Sequence, residues 1–292
     1  MGIQLKVIFT TLLIVSFSEA LTQNSFLTYL DFKNYLANHK KEILKEKNIE
    51  KRKLKINFLN KILNYSKLLP RKETSFNLEI KENLFNVEIW DEFKGDPLKA
   101  MKLYEEITTG QHPHNLFLES KAGQDEIISD LKKINGGFEF ISDRVLTSSH
   151  AFNNKSKIRL LFFNKDENTF ICINQNIEDF GKELAQKKAE RMEKNYHPIY
   201  YEMTVDFYQK IDNKTFQYVS FNLLDGQAKT SRSTTTNAVK GIGNIFTVGL
   251  LDKGIDAHIK EEAHKIWKAR KSLFQELILS EETPLQGYQE AK

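Results

Sequence analysis

Few residues in this chain have the types and spacings that site chemistry asks for. His112-Pro113-His114 brings two imidazoles into one loop, which would hold a transition metal only if a third ligand converged, and none stands at a recognisable spacing. Toward the C-terminus His258 and His264 fall on different helix faces. His258 and Glu262, at i,i+4, share a face but lack the H-E-x-x-H order of a zinc enzyme. Both groups read as turn and helix surface, so no metal and no cofactor is expected. Gly241 and Gly243 lack the third glycine of a dinucleotide fingerprint and are no phosphate cradle. No G-x-S-x-G elbow and no S-x-x-K motif activates a serine. Cys172, the single cysteine, lies between Ile171 and Ile173 as a small buried hydrophobe would. Catalytic residues stay unassigned, and the chain reads as non-catalytic.

Two groups point to binding instead. Tyr200 and Tyr208 share one row of an alternating run, and Tyr218 stands across from that row in the next run. Together they make either an exposed aromatic patch for a protein or small-molecule partner, or a cross-strand cluster covered by a helix. The second group is apolar. Ile242, Ile245, Phe246, Val248, Leu250 and Leu251 lie among four glycines after a hydroxyl-rich lead-in. Glycine at that density costs a helix about 1 kcal/mol per site, so the stretch commits to no one structure. It packs back on the protein as a loop, or it meets a membrane or a neighbouring copy.

The element that must position the tyrosines is Ile199 to Ile211, where Ile199, Tyr201, Met203, Val205 and Phe207 alternate with Tyr200, Glu202, Thr204, Asp206 and Tyr208. This period of two predicts a strand with an apolar row on a core and a polar row toward water. Asp212-Asn213-Lys214 then turns the chain into a second strand through Val219, Phe221 and Leu223. An earlier hairpin is predicted from the echo FNLEI and FNVEI at Phe76 and Phe85, and an all-apolar run, Ile158 to Phe163, predicts a central strand. Helices are predicted over much of Ser25 to Leu69, from Asp96-Pro97 to Thr108, over Asp125 to Ile134, over Asn176 to Lys194 and over Asp256 to Leu279. The fold class is therefore α+β: an antiparallel sheet of hairpins with helices on one face, a helical N-terminal arm and a C-terminal helix.

The first twenty residues set the compartment. Lys6 precedes the apolar run VIFTTLLIVSF, and Ser18-Glu19-Ala20 supplies small residues for cleavage, the pattern of a secretory signal. That run is well short of the roughly 20 residues needed to span a bilayer. The organisation expected is a signal peptide over 1–20, the helical arm over 21–70, the sheet domain over 71–228, the glycine-rich mobile segment over 229–256, and the C-terminal helix and tail over 257–292. The protein is expected to be secreted or periplasmic. Sequons at Asn64, Asn154 and Asn213 each lie in or beside a surface segment. A net charge of +4 is not a nucleic-acid binder's balance. The mixed-sign stretch HKKEILKEKNIEKRKLK has a positive excess that Glu42, Glu46 and Glu50 dilute, and it reads as a solvated helix face or a patch for an anionic surface. The function expected is a non-catalytic binding or interaction protein. The alternatives are a membrane-active or self-assembling protein using residues 238–255, with peripheral membrane contact, and a hydrolase-like enzyme without a linear motif.

Overall fold

The computed structural model describes residues 26–81, 84–112, 124–146, 152–180, 199–226 and 255–282. The signal segment and the run from Ile242 to Leu251 lie outside them. Its elements are β1 (Leu27–Thr28), α1 (Tyr29–Ile43), α2 (Ile49–Tyr65), β2 (Ser75–Lys81), β3 (Leu84–Lys94), α3 (Pro97–Thr108), β4 (Gln124–Ile134), β5 (Gly137–Leu146), β6 (Phe152–Asp166), β7 (Thr169–Asp179), β8 (Ile199–Lys210), β9 (Thr215–Gly226) and α4 (Ile255–Glu282). The fold is α+β, and the nine strands among the described residues join one sheet, eight of them in the order β2-β3-β9-β8-β7-β6-β5-β4 and β1 beside β6. Every pairing is antiparallel except that of β1, which runs parallel to β6 at Phe163 and Asn164, beyond the last residues of β6 that β5 covers.

Local signals account for most helix starts. Thr28 and Asp31 form a reciprocal capping box at α1, Asn48 caps α2, and Asp96 caps α3 with Pro97 in its first turn. The β4–β5 turn depends on two glycines. Gly136 has φ +74°, and a Cβ on Gly137 would lie 1.9 Å from the Leu160 carbonyl oxygen.

The helices lie on both faces of the sheet, not one. α1 and α2 cover one face, where Phe32, Leu36, Leu59 and Ile62 pack on Phe163, Ile173, Val205, Phe207 and Phe221. They form a layer on the sheet. α3 and α4 cover the other face, where Met101, Leu103, Phe274 and Ile278 pack with Leu160, Phe162, Phe170 and Phe216. The second half of the polar row of β8 therefore faces protein: Asp206 and Tyr208 are 1% and 0% exposed. Alternation reports that a strand has two unlike faces, and a second helix layer can cover the polar one.

One predicted helix is corrected, and so is the start of a second. Residues 124–134 form β4, paired with β5 through Asn135-Gly136. One extra residue is inserted between Ser129 and Lys132, where Asp130 has φ +52°, so Ile128 packs with the α3/α4 face and Ile134 with the α1/α2 face. That bulge breaks the period of two, and the resulting apolar spacing mimics a helix. Residues 176–179 continue β7, because β6 offers Ile158, Lys157 and Ser156 as partners, and residues 181–198 lie outside the described set. A third correction concerns the sequons. Asn64 and Asn213 are exposed, but Asn154 is wholly buried on β6 and accepts a hydrogen bond from Ser156, the hydroxyl residue of its own triplet.

Candidate functional site

Strand register builds a polar strip on the face beneath α3 and α4. Tyr208 on β8 is opposite Tyr218 on β9, and Asp206 is opposite both Ser220 on β9 and Cys172 on β7. Thr204 is likewise opposite Asn174 and Asn222, whose amide donates to the Thr204 hydroxyl at 2.6 Å. Around this strip the face is apolar, with Phe140, Leu160, Phe162 and Phe170 toward β5 and Phe93 and Phe216 toward β3. At the β3 edge α4 is tied down by polar contacts. The Trp267 indole stacks on Tyr218 at 5.5 Å and donates to Asp91 at 3.0 Å, and Lys271 pairs with the same carboxylate. At the other edge the Arg144 guanidinium reaches over β6 and β7 to donate to both Glu202 oxygens, at 2.8 and 3.4 Å. Burial works most strongly against the Arg144 charge, but Glu202, then Glu126 and Tyr104, together outweigh it and hold the group protonated.

The electrostatics of the strip follow from desolvation. Burial raises the Asp206 carboxyl to about 6, although Ser220 and Tyr218 hydrogen bonds favour its ionised form; the Tyr218 hydroxyl donates at 3.0 Å. The Cys172 thiol is pushed well up by burial, then by Asp206 and Glu105, so it is a thiol and no nucleophile. Burial likewise pushes up the hydroxyls of Tyr104 and Tyr208, with Asp206 adding to both. The Tyr208 hydroxyl has no hydrogen-bond partner among the described residues.

The other face holds a second polar network, which fastens helices. His39 on α1 lies 3.0 Å from the Tyr201 hydroxyl and 3.4 Å from the Gln175 amide, and its ring stacks on Tyr201 at 5.5 Å. Burial first, and Lys55 second, lower its pKa to about 4. Lys51 and Lys55 on α2 meet the buried Asp225 at 2.5 and 3.2 Å. Beside α2 an open groove of about 410 Å³ has Tyr65, Trp90 and Phe221 in its wall, with Asn57, Lys61 and Arg71 also lining it.

Of the three tyrosines expected to bind, the structure brings Tyr208 and Tyr218 together, with rings 5.3 Å apart and both covered by helices. Tyr200 is 56% exposed and stands apart from them. His112 is described and His114 is not; His264 stacks on Phe76 at 5.2 Å. Among the described residues no three His, Cys, Asp or Glu side chains converge, and no helix is long and apolar enough to cross a membrane. Sequence reasoning passed over Asp206, Ser220 and Tyr104. The signal was present in Asp206, a carboxylate flanked by Val205 and Phe207 within an unbroken strand.

No protein-family model matches the chain, and no curated protein matches it. Solved structures do align with it. A norcoclaurine synthase point mutant from Thalictrum flavum aligns at 14% identity and TM-score 0.36, covering 72% of this chain and 100% of that one. The Zhui aromatase/cyclase from Streptomyces sp. R1128 aligns at 8% and 0.41, covering 70% and 99%. The human StAR-related lipid transfer protein 5 aligns at 7% and 0.39, covering 77% and 96%. Likeness at this level assigns neither a family nor a ligand.

Proposed function

We propose that this chain is an exported, non-catalytic binding protein. Its ligand is taken between the sheet and the α3/α4 layer, against Tyr208, Asp206 and Tyr218. The observation that carries this reading is the Tyr208 hydroxyl, 0% exposed and without a partner among the described residues. An unsatisfied buried hydroxyl costs about 1–3 kcal/mol, and such a group persists where something else completes its hydrogen bond. The surroundings select the ligand. Asp206 disfavours an anion, and the phenyl and leucyl side chains around the strip suit an apolar body carrying one neutral oxygen.

Native mass spectrometry of the purified chain, repeated on Tyr208→Phe, tests the proposal. The parent is expected to retain a small-molecule adduct that the variant loses, while the ligand-free variant is as stable as the parent or about 1 kcal/mol more stable. A variant that unfolds more easily than the parent would show that the hydroxyl is paired within the protein, and the reading fails.

Export rests on residues 1–20, and intact mass of extracytoplasmic protein beginning near Leu21 is the expected result. An enzyme remains the second reading because Asp206, at about 6 beside the Tyr218 hydroxyl, is poised for proton transfer near neutral pH. Turnover abolished by Asp206→Asn with binding intact favours that reading over the first. The reading that uses residues 238–255 in a membrane or an assembly draws on composition alone.

A further inference from the structure

The α1/α2 layer carries a charge segregation that the strip beneath α3 and α4 does not use. Between Tyr29 and Lys72 the chain holds thirteen Lys and Arg against four Asp and Glu, a balance of +9 in a chain whose total is +4, so the remainder stands at −5. The fold leaves part of this excess on the outer surface of α1 and α2: Lys51 and Lys55 turn inward to Asp225, Lys61 pairs with Glu88 and Arg71 with Glu73, and the other cations stay outside the buried stripe. Two of the acids that dilute it are neutralised within the layer: Glu42 pairs with Lys45 at 2.6 Å and Glu50 with Lys53 at 3.0 Å. Glu46 pairs inward with Lys55 at 3.1 Å. Lys41, Lys47 and Lys67 are exposed and form no ion pair among the described residues, whereas Lys72, also exposed, acts on the Asp212 carboxylate.

The same surface exposes large apolar side chains at both ends. Tyr29 at the start of α1 hydrogen-bonds Ser66 just past α2, so the two helices form an antiparallel pair. One end of the pair presents Leu44 and Ile49, 53% and 56% exposed, and the other presents Leu30, Leu68 and Leu69, 61%, 44% and 83% exposed. These five are a majority of the exposed large hydrophobics among the described residues. A helix of this length puts the two ends about 25 Å apart. Lys41 and Lys47 flank the first end and Lys67 the second.

We propose that this layer docks the protein flat on an anionic lipid bilayer, with the lysines over the headgroups and the two apolar ends dipping below them. Cations alone would equally suit a nucleic acid or a sulfated polysaccharide. A water-borne polyanion, however, offers nothing to five exposed apolar side chains, whereas the lipid interface takes both. The proposal is independent of any ligand bound beneath α3 and α4.

The test is flotation of the full chain with phosphatidylcholine vesicles, with and without about one third phosphatidylserine, at low salt and at about tenfold higher salt. Two variants are compared with the parent: Lys41→Glu/Lys47→Glu/Lys67→Glu, and Leu44→Ser/Leu69→Ser. Ile127→Ser, an exposed position on β4, is the control. Equal urea midpoints establish that the variants are folded, and should one set unfold, the other still decides. Expected is salt-sensitive binding that needs phosphatidylserine, falls more than tenfold in each variant and is unchanged in the control. Binding that persists undiminished in the variants overturns the proposal, because it would then belong to another segment such as residues 1–20. Equal binding to neutral vesicles overturns it too. So does heparin retention without flotation, which would make the surface a polyanion site.

Discussion

Asp206 offers the sharpest test of how this interior is built. Its carboxyl ionises near 3.8 in the unfolded chain and near 6 in the folded one, a difference of about 2 units, or about 3 kcal/mol. The folded state holds the proton more tightly. Its contribution to stability is therefore complete below about pH 4, is lost as pH rises to about 6, and is flat beyond. His39 acts in the opposite sense: its folded pKa of about 4 lies below the unfolded 6.5, so stability is lost as pH falls from 6.5 toward 4. Between pH 4 and 6 the two slopes oppose each other. Asp206→Asn removes one of them while keeping an oxygen to accept from Tyr218. Urea unfolding at steps from pH 4 to pH 7 should show the variant level with the parent at pH 4 and about 3 kcal/mol more stable at pH 7, with an unchanged m value. A difference that does not vary with pH would refute the reasoning. So would an Asn variant weaker than the parent at pH 7, because the carboxylate would then be an ionised and satisfied member of the core.

Four further outcomes are expected. His39→Gln, measured in the same titration, should leave a stability that falls between pH 4 and 6, since the Asp206 slope is then unopposed. Asp225→Ala strands the Lys51 ammonium and leaves Lys55 only Glu46 as a partner, and it should cost about 3 kcal/mol in urea unfolding. Gly137→Ala drives a methyl into the Leu160 carbonyl and should cost more than about 2 kcal/mol, seen as a lowered Tm. In a host that glycosylates exported chains, peptide mapping of the folded protein should find glycans at Asn64 or Asn213 and none at Asn154, because Asn154 is wholly enclosed.

Local chemistry carried much of the architecture. The hairpin β8–β9 was legible because alternation over Ile199 to Ile211 is long and because Asp212-Asn213-Lys214 supplies its turn. The start of α3 was legible because Asp96-Pro97 is a cap with a helix-compatible proline behind it. The central strand β6 was legible from the apolar run Ile158 to Phe163, since a strand buried on both faces has no polar row to show. Each of these signals lies within a few residues of the element it specifies, so sequence alone suffices.

What only the tertiary structure decided concerns which surfaces meet. A period of two cannot say whether the second row of β8 faces water or another helix, and α3 and α4 resolved that by covering Asp206 and Tyr208. Helical spacing over Asp125 to Ile134 yielded to pairing with β5, because one inserted residue at the bulge lets an irregular apolar pattern serve both faces of a sheet. The contact of Arg144 with Glu202 and the seat of Lys55 on Asp225 join residues far apart in the chain, and no periodicity encodes them. The raised pKa of Asp206 is likewise a property of the space around it: desolvation depends on everything packed within a few ångströms, and the sequence neighbours Val205 and Phe207 point to the opposite face of the sheet.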